Sequence, residues 1–117
     1  MSYDVYLKKE PTDEASSLPV PLHKEGGVIC TCGDTAAEMV ITYNYGEVYH
    51  LFGFSIDDLH KKQALDVILR LRGMVRLLGT KKYERDYWAP TPGNAGHALS
   101  ILLQWAELHP DGYFWVS

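Results

Sequence analysis

The sequence predicts an α+β domain: a small, mostly antiparallel sheet with two longer helices and one short helix packed on one face. Two short runs near the chain ends, Ser2–Leu7 and Tyr113–Val116, have strand character, and β-branched runs lie between Gly27 and Tyr43. The second half instead places apolar residues at helical spacing in two long stretches. A chain of 117 residues supports one core and is too short for two, so a single domain spanning 1–117 is expected.

In chain order, Tyr3, Val5 and Leu7 alternate with Ser2, Asp4 and Tyr6, which predicts a half-buried first strand. Lys8 to Leu22 carries three prolines and no periodicity, so residues 8–26 read as an exposed loop. Gly27–Cys32 and Glu38–Tyr43 read as two strands of a hairpin, turning around Gly33 and Asp34. Asn44 followed by Glu47 fits a helix N-cap, with Val48, Leu51 and Phe52 on the buried side of two turns and Gly53 as the stop. Ser55 and Asp58 repeat the capping pattern.

From Gln63 to Leu78, Ala64, Ile68, Leu71, Val75 and Leu78 form a core stripe that Leu65, Leu69 and Leu77 widen. Gly73 inside it implies close packing or a bend, and Gly79 ends it. In the last helix Ala95, Ala98, Leu99, Leu102, Leu103 and Ala106 form the buried face, with Ile101, Trp105 and Leu108 at its margins. His97, Ser100, Gln104 and Glu107 mark the wet side. Pro110-Asp-Gly112 turns the chain into a last strand expected beside the first.

The net charge of −4 is unevenly spread. Residues 1–60 hold ten acids and three bases, or −7; residues 61–117 hold five acids and eight bases, or +3. An acidic chain is a poor general DNA binder, because such affinity requires many neutralised phosphates. A small anion remains compatible with it. No segment has the ~18 apolar residues of a spanning helix, and the N-terminus lacks a signal-peptide pattern, so a cytoplasmic protein is expected. Cys30 and Cys32 are too few and too close for a disulfide framework, and with five scattered histidines they give no metal-ligand spacing. Neither a metal nor a cofactor is expected.

The candidate binding stretch is Asp86 to His97, rich in Pro, Gly and aromatics. Thr91 with Pro92, or Asn94 one turn later, can start the last helix, and either start directs backbone N–H groups outward. With Lys81, Lys82 and Arg85 upstream and Gly93 and Gly96 permitting close approach, this could cradle a phosphate or carboxylate; the alternative is a capped helix and a packed loop. Tyr87 and Trp88 could stack on a base or merely lid the core, and Tyr43 beside Asn44 invites the same two readings. The candidate ligand-binding residues are Tyr43, Asn44, Arg85, Tyr87, Trp88, Thr91, Gly93, Asn94 and His97. No Gly-x-Ser-x-Gly or His-Glu-x-x-His motif occurs. A hydrolase would have to draw on His97 and Asp86 with Cys30 or Ser100.

Thr42-Tyr-Asn44, Tyr49-x-x-Phe52, Leu59-x-x-Lys62-x-Ala64, the run from Tyr87-Trp88 through Pro-Thr-x-Gly-Asn-Ala95 to Leu103, and His109-Pro-Asp111 together resemble a group of small bacteriophage and prophage proteins. The likeness covers roughly residues 39–117, with Lys61 standing where that group has Gly. It implies an accessory protein acting in the host cytoplasm and brings no catalytic residues. The expectation is a non-enzymatic module binding a small anionic, nucleotide-derived ligand, as in counter-defence sequestration. The alternatives are a protein–protein inhibitor of a host factor, docking through an aromatic or acidic surface, and a small hydrolase. A homo-oligomer is compatible with each.

Overall fold

The computed structural model describes residues 1–21, 24–25, 28–30, 36–81, 86 and 89–117. Five strands, β1 (Ser2–Lys8), β2 (Lys24–Glu25), β3 (Val28–Cys30), β4 (Glu38–Thr42) and β5 (Tyr113–Val116), form one sheet in the order β2-β3-β4-β1-β5. Every pairing is antiparallel. The terminal strand lies beside β1 as the alternation predicts, with Val5 opposite Val116 and Leu7 opposite Phe114. Hairpin β3–β4 is present, whereas its expected turn at Gly33–Asp34, and Cys32, lie outside the described residues. The inward side chains Val5, Leu7, Met39, Ile41, Phe114 and Val116 are all buried in one cluster with the helices, α1 (Gly46–His50), α2 (Ala64–Leu78) and α3 (Pro92–Leu108). This is the expected α+β sandwich of two layers.

The 8–26 stretch is exposed only in part. Residues 9–14 face solvent, but Leu18 donates its N–H to the Leu7 carbonyl (2.8 Å) and accepts from Ala37 (2.8 Å), and Val20 is buried. Its apolar residues pull the returning limb onto the sheet.

Local expectations change in three places. Thr42, not Asn44, caps the turn after β4: its hydroxyl accepts from the Asn44 N–H at 3.2 Å, and a 3-10 turn over Tyr43–Tyr45 leads into α1. Asn44 is exposed on that turn. Leu51 (80% exposed) and Phe52 do not join the core. The helix ends at His50 and the chain reverses through Gly53 at φ 69, which turns Phe54 inward instead. Ser55 and Asp58 do form the expected capping box, over a 3-10 turn spanning Ile56–Leu59.

In α2 the buried stripe is Ala64, Val67, Leu71, Met74 and Leu78, rotated from the expected phase. Ile68 and Val75 are only half-buried, and Leu65, Leu69 and Leu77 are exposed at 60%, 77% and 64%. A helix with apolar residues on three sides has no unique phase in its sequence, so the packing against α3 selects it. Gly73 is not closely packed, since a Cβ built there meets nothing within 4 Å. Gly79, at φ 74, terminates α2 as expected. In α3, Ile101 and Trp105 belong to the core rather than its margins, Leu103 is half-buried and Leu108 is half-exposed.

The glycines packed against backbone carbonyls lie at the start of α3, while Gly112 is packed against the Leu18 and Leu7 side chains. A Cβ on Gly96 would overlap the Gly79 carbonyl oxygen, and one on Gly93 the Lys81 carbonyl oxygen. Gly96→Ala should therefore cost about 1–3 kcal/mol, the range for overpacking. Gly73→Ala should instead gain up to about 1 kcal/mol of helix propensity. Urea unfolding at low protein concentration should move the two midpoints in opposite directions.

Candidate functional site

The α3 start is built as a clamp. Of its two possible N-caps the structure uses Thr91, whose hydroxyl accepts from the Asn94 N–H at 3.2 Å, with Pro92 at the first helical position. Thr91 donates its own N–H to the Ala89 carbonyl at 2.8 Å. Four N–H groups begin a helix unpaired. Here proline removes one, and those of Thr91 and Asn94 are taken, so Gly93 alone offers an N–H. The carbonyl oxygens of Lys81 and Gly79 lie against the same turn. Most of the N–H groups expected to hold an anion are thus engaged within the chain, while Lys82 and Arg85 of the expected cradle lie outside the described residues.

Asn94 serves a different purpose from the one its position suggested. It lies inside the helix at 2% exposure, and its side-chain amide donates to the carbonyls of Asp86 and Ala89, both at 3.1 Å. That fastens the preceding loop to α3. The Tyr43–Tyr49 region also reaches this point, through Tyr49, whose buried hydroxyl donates to the Ala95 carbonyl at 2.9 Å. Tyr43 lies elsewhere, half-exposed and edge-on to Tyr3 with centroids 4.5 Å apart. His97 is half-buried, and the Ser100 hydroxyl donates to its backbone carbonyl at 2.6 Å. Arg85, Tyr87 and Trp88 lie outside the described residues.

Cavities of about 370 Å³ lie away from this turn. One is lined by Lys9, Leu18, His109 and Asp111, and there His109 Nε2 is already engaged by the Pro19 carbonyl at 2.6 Å. The other is lined by Tyr3, Glu47, His50 and Phe54. Among the described residues no three His, Cys, Asp or Glu side chains converge as metal ligands.

A second cluster, which the sequence reading did not single out, sits on the sheet face opposite the core. Trp115 on β5 is paired with Tyr6 on β1, and both are half-buried. Lys8 Nζ lies 5.2 Å from the Tyr6 ring centroid and 5.5 Å from that of Trp115, and Lys61 Nζ lies 5.6 Å from Trp115. These are cation–π distances. The His60 ring stands edge-on to Trp115 at 4.5 Å. Burial, then the charges of Glu38 and Asp4 and a hydrogen bond with Glu38, raise the Tyr6 hydroxyl above its usual pKa, keeping it neutral.

The backbone explains how these groups meet. Residues 60–64 run along the outer edge of β5. Lys61 N–H donates to the Phe114 carbonyl (2.8 Å), Phe114 N–H to that of Lys62 (2.9 Å), and Ala64 N–H to that of Gly112 (2.7 Å). The Val116 N–H is taken by His60 Nδ1 at 3.0 Å, which places the imidazole proton on Nε2. To follow this edge Lys61 adopts φ 64, the one left-handed non-glycine residue among those described. The tight turn at Lys61 is therefore made with a side chain in place. Lys8 is buried and spends its ammonium on the Asp13 carbonyl, whereas Lys61 is exposed. A period-two reading puts Tyr6, Lys8 and Trp115 on one face; the loop segment that adds His60 and Lys61 has no such signal.

Comparison with protein-family models, curated proteins and solved structures finds no match to this chain. No helix among the described residues is long and apolar enough to cross a membrane.

Asn94→Ala should cost about 1–3 kcal/mol for its lost hydrogen bonds. Asn94→Asp should cost more, because a buried carboxylate would face two carbonyl oxygens; thermal melts at neutral pH rank the pair. Alkali gives a second measurement. Burial, with the Asp86 charge adding, pushes the Tyr45 hydroxyl up to about 12, and burial raises Tyr49 well above its usual value. A phenol raised on folding contributes stability fully below its unfolded pKa of about 10, which is lost as pH climbs through the folded value. For Tyr45 that window is pH 10 to 12, so Tyr45→Phe should flatten the fall in stability there.

Proposed function

We propose that this protein is a non-enzymatic binding module that takes a small anionic ligand with a flat ring, of nucleotide chemistry, on the Trp115 face. The reading rests on Lys61. A non-glycine residue at positive φ is an uncommon, strained choice, at a cost of order 1 kcal/mol. Its exposed ammonium stands 5.6 Å from the ring of a half-buried indole, against which the His60 ring also packs. An ammonium and an imidazole N–H suit a phosphate or carboxylate, and the Trp115 and Tyr6 rings suit a flat partner. None of these groups is a nucleophile paired with a base, which favours binding over turnover.

The α3 start is a weaker candidate for the same chemistry, as all its N–H groups but that of Gly93 are used within the chain or removed by proline. A phage-type accessory role, sequestering a nucleotide-derived signal in a host cell, is the context that the sequence likeness suggests for such a module.

Calorimetry against nucleoside phosphates, cyclic nucleotides and ADP-ribose should give one-site binding to the wild-type chain. Lys61→Gly should weaken binding at least tenfold while raising stability by about 1 kcal/mol, since glycine adopts positive φ freely. No binding across the panel, or unaltered affinity in Lys61→Gly, would sink the reading.

A further inference from the structure

Against the first half of α2 lies a third cavity, of about 330 Å³, which neither the α3 start nor the Trp115 face uses. Its apolar lining is Phe54, Leu59 and Val67, all of them buried. Four exposed charged side chains complete the wall, the acids Asp58 and Asp66 and the bases Lys62 and Arg70. Small-molecule sites span about 300–1,000 Å³ and combine an apolar lining with a few polar groups, so this cavity suits a ligand at the small end of that range.

Two of the charges are held in place by the fold. Arg70 donates to the Gly53 carbonyl at 2.7 Å, and its guanidinium lies 5.5 Å from the Phe54 ring centroid. A guanidinium has further N–H donors to offer beyond the one that this bond uses. Asp58 is fixed by the capping box, in which its Oδ2 accepts from the Ser55 N–H at 3.0 Å. Asp66 and Arg70 stand four residues apart on α2, the spacing at which helix side chains pair. Among the described residues, however, none of the four charges forms an ion pair with another. Both signs are left to a third party.

Equal numbers of acids and bases beside one apolar floor decide the class of that party. A simple anion would meet two carboxylates, and a simple cation two bases; like charges brought together oppose binding. A molecule with one charge of each sign and an apolar body complements the whole lining. We infer that this cavity binds a free amino acid with an apolar side chain. Its carboxylate faces Lys62 and Arg70, its ammonium faces Asp58 and Asp66, and its side chain covers Phe54, Leu59 and Val67. The site shares no residue with the Trp115 cluster and does not depend on the nucleotide reading.

Titration of the full chain with L-phenylalanine, followed by two-dimensional NMR, tests it. Saturable shifts are expected at residues 54 and 58–70. N-acetyl-phenylalanine lacks the ammonium and phenylalanine amide lacks the carboxylate, so each should bind at least tenfold more weakly; these analogues also stand for the two ends of a peptide. Asp66→Asn should weaken phenylalanine at least threefold and leave the N-acetyl form no weaker, whereas Lys62→Gln should weaken phenylalanine and leave the amide no weaker. An absence of saturable shifts into the high millimolar range, shifts confined to other residues, or variants without effect would overturn the inference. Equal binding of a single-charge analogue would overturn it too, by making the ligand a chain end or a simple ion.

Discussion

The distance between α2 and α3 is set where one backbone lies directly on another. Gly96 sits against the Gly79 carbonyl and Gly93 against that of Lys81, with no room for a Cβ at either place. Because the contact involves backbone on both sides, side-chain repacking cannot relieve a larger residue there. Much of the core follows from it: the phase of α2, the burial of Trp105 and the position of Ala95, to which Tyr49 ties α1. Asn94 and Thr91 secure the same corner from the loop side.

That corner also changes what the Pro/Gly/Asn run means. Glycines near a helix start permit either a ligand or another part of the chain to come close. Here the chain itself takes the space, and Thr91 and proline account for most of the N–H groups an anion would need. Thr91 caps α3 and Asn94 fastens the preceding loop to it.

On the opposite face a second backbone constraint has a different effect. The exposed edge of β5 is paired with residues 60–64, which satisfies its N–H and carbonyl groups and removes a free sheet edge. The turn required to reach that edge forces Lys61 to positive φ and delivers His60 and Lys61 to Trp115. Edge protection and assembly of the aromatic–cationic cluster are therefore one structural event. The exposed leucines of α2 show the converse situation, apolar surface for which the fold itself has no use.

The sequence by itself determined the two-layer α+β class, the strands β1, β4 and β5, the existence and approximate ends of α2 and α3, and the stops at Gly53 and Gly79. Each of those rests on local periodicity or on one residue's backbone preference, which operate without knowledge of distant contacts. Tertiary structure decided which side of α2 is buried, since leucines at 65, 69 and 77 are as apolar as those inside. It decided that Thr42 and not Asn44 caps the turn after β4, a choice between adjacent good caps made by where the strand ends. It decided, too, that Asn94 is buried and that Lys61 meets Trp115 across 54 residues of chain. These last facts depend on hydrogen bonds and packing between segments far apart in sequence, for which no local pattern exists.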